Sequence, residues 1–186
     1  MSDAEFLLLG DALWLDFVNT QGAPGRAEAL ADPQAYLRWT KALRLEAPET
    51  AVAFAEALRF RDQLTRLAQA LEAGRTPPAG AIEAINTRLA ARPGAERLVR
   101  VGGAWRVRYA PDRAPTAVEA IARSAAETLA TPVAVVRSCA NPACGLFLLD
   151  ETSNQSRRWC SGTRCGKLGR TERRRRTRLT PIVNET

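Results

Sequence analysis

The chain has 186 residues, 46% of them apolar, and a formal net charge of +7. That length suits one domain, or one with a small appendage, and the apolar share can bury a core, so a wholly disordered chain is excluded. Histidine is absent, which removes the commonest general base and any mixed Cys/His metal site.

The first apolar stretch, FLLLGDALWLDFV at residues 6–18, follows Asp3 and Glu5 and is broken by Asp11 and Asp16. With no basic leader and no small-residue cleavage pattern, it predicts neither a signal peptide nor a membrane span, and a cytoplasmic location is expected. Within it Leu13, Trp14, Phe17 and Val18 share one helical face. Asp32-Pro33 reads as the N-cap and first residue of a second helix, and Ala57, Phe60, Leu64, Leu67 and Leu71 make the stripe of a longer one. GRTPPAG, residues 74–80, is a loop before another helix over roughly 79–91. LVRV and WRVRYA then alternate around Gly102-Gly103, a β-hairpin signal. A last stripe, Val118, Ile121, Ala122, Ala125 and Leu129, stops at Thr131-Pro132. Trp39, Phe54, Phe60 and Trp105 are expected in the core rather than as ligand-stacking groups. The fold class expected is mainly α with a small β-hairpin (α+β): a helical body, residues 1–132, and a C-terminal four-cysteine module, residues 133–186. No repeat and no long linker separates them, so the module should pack on the body.

All four cysteines fall between residues 139 and 165, as Cys139/Cys144 and Cys160/Cys165, two pairs of identical spacing. Asn141-Pro142 and Gly145 give the first pair the turn chemistry of a knuckle, and Ser161-Gly162 permits a second turn. In a reducing compartment such pairs point to a metal, and with no histidine a closed tetrahedral zinc site must take all four thiolates. Four thiolates leave no open position, so the one Zn2+ would be structural. Two disulfides, a redox pair or free core thiols are the alternatives at this point.

The run CANPACGLFLLDETSNQSRRWCSGTRCG, from Cys139 to Gly166, resembles the zinc finger of the CGNR family: a knuckle, short strands with one ending in Asp, an Arg-Arg-Trp-Cys segment and a closing Cys-Gly. LWLDFVNT, residues 13–20, is similar to the signature of the ABATE domain that precedes that finger. The two motifs occur in the family order and span essentially the whole chain. Lys167 and Leu168 stand where the family shows Asn-Arg, so the roles of those two residues do not carry over. Members are regarded as transcription regulators, and a DNA-binding regulator is what the resemblance implies.

The charge distribution points the same way independently. Residues 137–186 hold eleven Lys or Arg against four acids, the whole of the +7, whereas residues 1–136 hold sixteen of each. Such asymmetry anticipates a polyanion, with DNA the expected partner, because neutralising phosphates releases counterions. Candidate contacts are Arg157, Arg158, Arg164, Lys167, Arg170, Arg173, Arg174 and Arg176, the last four on a basic helix expected from Cys165 onward. Arg170, Arg173 and Arg174 would share one of its faces. A solvated basic tail is the bland reading, and Arg157 and Arg158 could simply offset the charge of a zinc tetrathiolate. No Asn or Gln lies between Gly166 and Leu179, so base reading would fall to Asn154, Gln155 or a second copy of the chain.

In the body, Asp16, Asn19 and Arg61 are candidate contacts for a small-molecule effector, set against the alternative that Asp16 and Asn19 serve backbone ends. No phosphate loop, nucleophile elbow or carboxylate metal site occurs, so no enzyme is expected. A zinc-braced protein-protein adaptor that binds no nucleic acid is the rival class, and the sequence leaves the oligomeric state open, with a homodimer as one option.

Overall fold

The computed structural model describes residues 6–23 and 26–167. Among the described residues it is an α+β fold with five α-helices, α1 (Leu13–Val18), α2 (Pro33–Ala42), α3 (Ala51–Glu72), α4 (Ala79–Ala90) and α5 (Ala117–Leu129), and two antiparallel strand pairs, β1 (Gly94–Val101) with β2 (Ala104–Pro111) and β3 (Val135–Ser138) with β4 (Phe147–Asp150). Among the described residues, no helix is long and apolar enough to cross a membrane.

The helix starts follow local chemistry. Asp32 accepts a hydrogen bond from the Ala35 amide at 2.7 Å, with Pro33 in the first turn, and Thr50 caps α3 through the Ala53 amide at 3.1 Å. At α5 the Glu119 carboxylate reaches back to the Thr116 amide at 2.9 Å.

Helix α1 is only six residues long, yet Trp14, Leu15, Phe17 and Val18 are all buried, so it is a central element. Around it pack α3 and α5, with Phe17 against Trp39 of α2 at a centroid distance of 5.3 Å and Trp14 Nε1 donating to Thr128 Oγ1 of α5 at 2.9 Å. Phe60, Leu64 and Leu67 of α3 and Ile121, Ala122 and Ala125 of α5 complete this core, while Leu71, Val118 and Leu129 lie at its margin.

The core does not stop at the body. Val136 of β3 and Leu149 of β4 join the same apolar cluster, with Phe147 at its edge, whereas Leu146 and Leu148 face the other way into a second cluster built around the cysteines. Side chains alternate along a strand. One short strand therefore serves two cores, and Leu7 and Leu9 from the start of the chain cover the second.

The β1–β2 hairpin is paired in full register from Gly94↔Pro111 to Val101↔Ala104. Gly102 and Gly103 have φ of +58° and +83°, the left-handed pair that a two-residue type I′ turn needs. Trp39 and Phe60 are fully buried and Phe54 is partly so, as expected, but Trp105 is 65% exposed. Its period-2 pattern forms the strand correctly; among the described residues, however, no layer covers either face of this ribbon, so the expectation of a core Trp105 is overturned.

Candidate metal centre and nucleic-acid interface

The first cysteine pair closes the loop between β3 and β4. Cys139 N donates to Leu146 O at 2.8 Å, Cys144 N to Asn141 O at 2.9 Å, and Asn141 Oδ1 accepts from the Ala143 amide at 3.2 Å. Gly145, at φ +64°, turns the chain out of the knuckle through the left-handed region, which a side chain would strain. The second pair arrives on a different geometry. Gly162–Gly166 is a single π-helical turn whose Cys165 and Gly166 amides both donate to Ser161 O, at 3.1 and 2.9 Å, while Ser161 Oγ accepts from Arg164 N at 3.3 Å. This π turn replaces the α-helical start expected at Cys165, and it aims Cys165 inward.

The four ligand atoms lie within 4.8 Å of one another, with Cys160 Sγ 3.6 Å from both Cys144 Sγ and Cys165 Sγ, and all four thiols are free. Thiolates about 2.3 Å from a tetrahedral zinc stand about 3.8 Å from one another, so the cradle fits the ion. Cys139, Cys160 and Cys165 are buried and Cys144 is half-buried. Burial, with the neighbouring thiols, pushes the Cys160 thiol up; four thiolates gathered this closely repel one another unless a strong cation sits among them. Two N–H groups point at sulfur, Cys160 N at Cys139 Sγ and Asn141 Nδ2 at Cys165 Sγ, each at 3.5 Å. Hydrogen bonds of this kind orient ligands and temper their charge. The site holds one structural Zn2+ on four cysteines.

Asp150, at the end of β4, organises the ground beside the metal. Fully buried, it accepts from Thr152 Oγ1 at 2.6 Å, Arg137 Nε at 3.0 Å, the Thr152 amide at 3.1 Å and the Arg157 amide at 3.0 Å. The Thr152 hydroxyl first, and then the other donors, hold its carboxyl below the usual range. Arg157 in turn spans from the module to the body side: its guanidinium donates to Leu149 O at 3.0 Å, Cys160 O at 3.2 Å and Trp159 O at 3.3 Å, and it also pairs with Asp11. Arg158 is exposed, 5.7 Å over the Trp159 ring, and Arg164 and Lys167 are exposed on and after the π turn. Asn154 and Gln155 lie on the exposed loop after β4, Asn154 accepting from Ser156 Oγ at 2.7 Å and Gln155 O from Arg137 Nη2 at 2.8 Å. Arg170, Arg173, Arg174 and Arg176 lie outside the described residues.

Two polar residues of LWLDFVNT, Asn19 directly and Asp16 through Gly10, tie the body to the module. Asn19 brackets Phe147 of β4, its Oδ1 accepting from the Phe147 amide and its Nδ2 donating to the Phe147 carbonyl, both at 2.8 Å. Leu149 N donates to Gly10 O at 2.9 Å, and Gly10 N donates to Asp16 Oδ1 at 2.8 Å. The free edge of β4 is thereby satisfied by the body. Burial pushes the Asp16 carboxyl up to about 6. Arg61, on α3, forms a fork with Glu28 at 2.6 and 2.9 Å and also donates to Thr20 Oγ1 at 2.9 Å. Asp16, Asn19 and Arg61 thus occupy one neighbourhood of the fold, each engaged by protein groups.

Sequence reasoning missed Arg26 and Glu28. Arg26 donates to Asn19 O, and its partial burial, which lowers its pKa, is opposed by the Cys144 thiolate. Nothing in the surrounding AEALAD-type composition marks Glu28, because its partner Arg61 is 33 positions away.

Residues 136–178 match the family model described as CGNR zinc finger, and residues 11–132 match ABATE, described as "Putative stress-induced transcription regulator". Neither description is of an enzyme family. No curated protein matches the chain. With the ABATE match covering most of the chain ahead of a four-cysteine module of CGNR type, this protein belongs to the ABATE family.

Proposed function

We propose that the protein is a DNA-binding transcription regulator, with residues 1–132 as the body and residues 133–186 as the zinc-braced reading module. The observation that carries this reading is the location of the entire +7 charge in residues 137–186, on a module whose metal only braces it. Arg158, Arg164 and Lys167 supply exposed charge beside the π turn, and Arg170, Arg173, Arg174 and Arg176 extend it in sequence. Arg157 adds positive potential while its guanidinium donors hold the module together. A protein that keeps four thiolates on zinc works in a reducing compartment, which suits the cytoplasm.

The sensing part of the proposal rests on Asp16, Asn19 and Arg61. Asn19 bonds β4 directly, Asp16 holds the amide of Gly10, whose carbonyl accepts from Leu149, and Arg61 holds Thr20 beside Asn19, so a small-molecule effector that displaces one of these bonds changes how the module is seated.

The test is DNA affinity as a function of salt. Neutralising Arg173, Arg174 and Arg176 to Gln should weaken duplex binding and flatten the slope of log K against log salt by about 0.9 for each phosphate that is no longer neutralised, with zinc content unchanged. Unchanged affinity at low salt would transfer the reading to a zinc-braced adaptor for an acidic protein surface, which competition between duplex DNA and that protein would then establish.

A further inference from the structure

The β1–β2 ribbon has two chemically different faces. Cross-strand partners in an antiparallel pair share a face, so the register puts Glu96, Leu98 and Arg100 beside Tyr109, Val107 and Trp105 on one side, and Arg97, Val99, Arg106 and Arg108 on the other. On the first face Leu98 is 63% exposed, Val107 62% and Tyr109 56%, in addition to Trp105. A lone two-stranded ribbon is marginally stable in water, and four large exposed apolar side chains on one face are a surface that wants a partner.

That face is self-complementary. A two-fold axis crossing the strands at the Leu98–Val107 pair sets Leu98 on Leu98 and Val107 on Val107, Tyr109 of one copy on Trp105 of the other, and Glu96 of one copy opposite Arg100 of the other. An isologous interface requires this reciprocity. The axis also carries the Gly102-Gly103 tip of each ribbon past Tyr109 of its neighbour. There lies a groove of about 870 Å³, lined by Leu13, Leu89, Pro111 and Ala126 and also by charged groups, Arg92 and Glu127 among them. The basic face, Arg97, Arg106 and Arg108, points away from the partner. Two sheets packed about 10 Å apart keep the two basic faces beyond a Debye length.

We propose that this apolar ribbon face is a homodimer interface, in which two copies of the chain lay their β1–β2 ribbons antiparallel across a two-fold axis, each tip reaching the groove at the other's base. The proposal is independent of DNA binding.

Sedimentation equilibrium of the zinc-loaded full-length protein tests it. The wild type should self-associate at micromolar concentration, and Trp105→Ser, at an exposed site, should weaken the dimer by about tenfold or more with zinc content and far-UV circular dichroism unchanged. Glu96→Arg and Arg100→Glu change the net charge in opposite directions, yet each should weaken the dimer, and the double exchange should restore it. A monomeric wild type overturns the proposal, as does a dimer indifferent to Trp105→Ser and to both charge reversals. If Trp105→Ser instead lowers DNA affinity in a monomeric protein, the face belongs to nucleic acid and the proposal fails.

Discussion

The body and the zinc module solve the same problem with different materials. In the body, Trp14, Phe17, Trp39, Phe60, Leu64, Leu67 and Ile121 are buried together, and apolar burial of this extent sustains a helical core. Among the described residues, the module's own cluster has Leu146 and Leu148 as its buried aliphatics, lent cover by Leu7, Leu9 and Trp159, while its Val136 and Leu149 are given to the body's core, so much of its folding free energy has to come from the metal and from the hydrogen bonds around Asp150. The two parts should therefore fail separately, one when packing is damaged and the other when ligation is. The strand β4, which contributes to both clusters, is where the failures should meet.

The largest expected effect is on ligation. Cys160→Ser removes the thiolate closest to two others and should abolish stoichiometric zinc, forfeiting a binding free energy on the order of 10 kcal/mol seen for such modules. Metal analysis with tryptophan fluorescence should report loss of the module while the buried Trp14 and Trp39 still unfold cooperatively with the body. Retention of zinc at one per chain would contradict a module held by its metal.

Next in size is Asp150→Ala, which strips the buried carboxylate from Arg137, Thr152 and the Arg157 amide. A loss of about 2–4 kcal/mol is expected in urea unfolding, because four hydrogen bonds to a fully buried carboxylate go at once, while the half-exposed Arg137 and the exposed Thr152 can regain water. Zinc affinity should fall with it, since the amide of Arg157 sits three residues before Cys160.

Asn19→Ala acts at the junction of body and module. Two hydrogen bonds to Phe147 disappear, for about 1–3 kcal/mol, and the unfolding transitions followed by zinc release and by helical signal should separate. Coincident transitions would mean that the apolar packing of Val136 and Leu149 alone couples the parts.

The smallest effect is electrostatic and confined to the body. The Arg113 guanidinium beside Glu119 holds that carboxyl down to about 2, so it contributes stability above its ordinary value near 4.5 that is lost as pH falls from there towards 2. Asp16, raised to about 6, has the opposite sign: the stability it contributes is present below its ordinary value near 3.8 and is lost as pH rises through 6. Denaturation midpoints against pH should show Glu119→Gln converging on the wild type in acid, and Asp16→Asn lacking the decline between pH 4 and pH 6. Parallel pH profiles for the wild type and both variants would contradict these assignments.

The amino-acid sequence by itself determined the elements whose causes are local. Helix periodicities, the Asp32-Pro33 start, the Gly102-Gly103 turn and the knuckle around Asn141-Pro142 and Gly145 all follow from backbone preferences within a few residues, and the absence of histidine left four cysteines as the whole ligand set. Whatever depended on distant partners was decided only by the tertiary structure. Asn19 reads as a helix-end residue in one dimension and brackets Phe147, 128 positions on, in three; Leu7 and Leu9 belong to the first apolar stretch of the body and cover the zinc cluster; Arg157 reads as a DNA contact or a counter-charge to the zinc, and its guanidinium is engaged by carbonyls around Cys160. Trp105 shows the converse, since alternation fixes the face of a side chain but not whether anything lies over that face. Sequence period is a property of one element, whereas burial and hydrogen-bond satisfaction belong to pairs of elements that the chain brings together only when it folds.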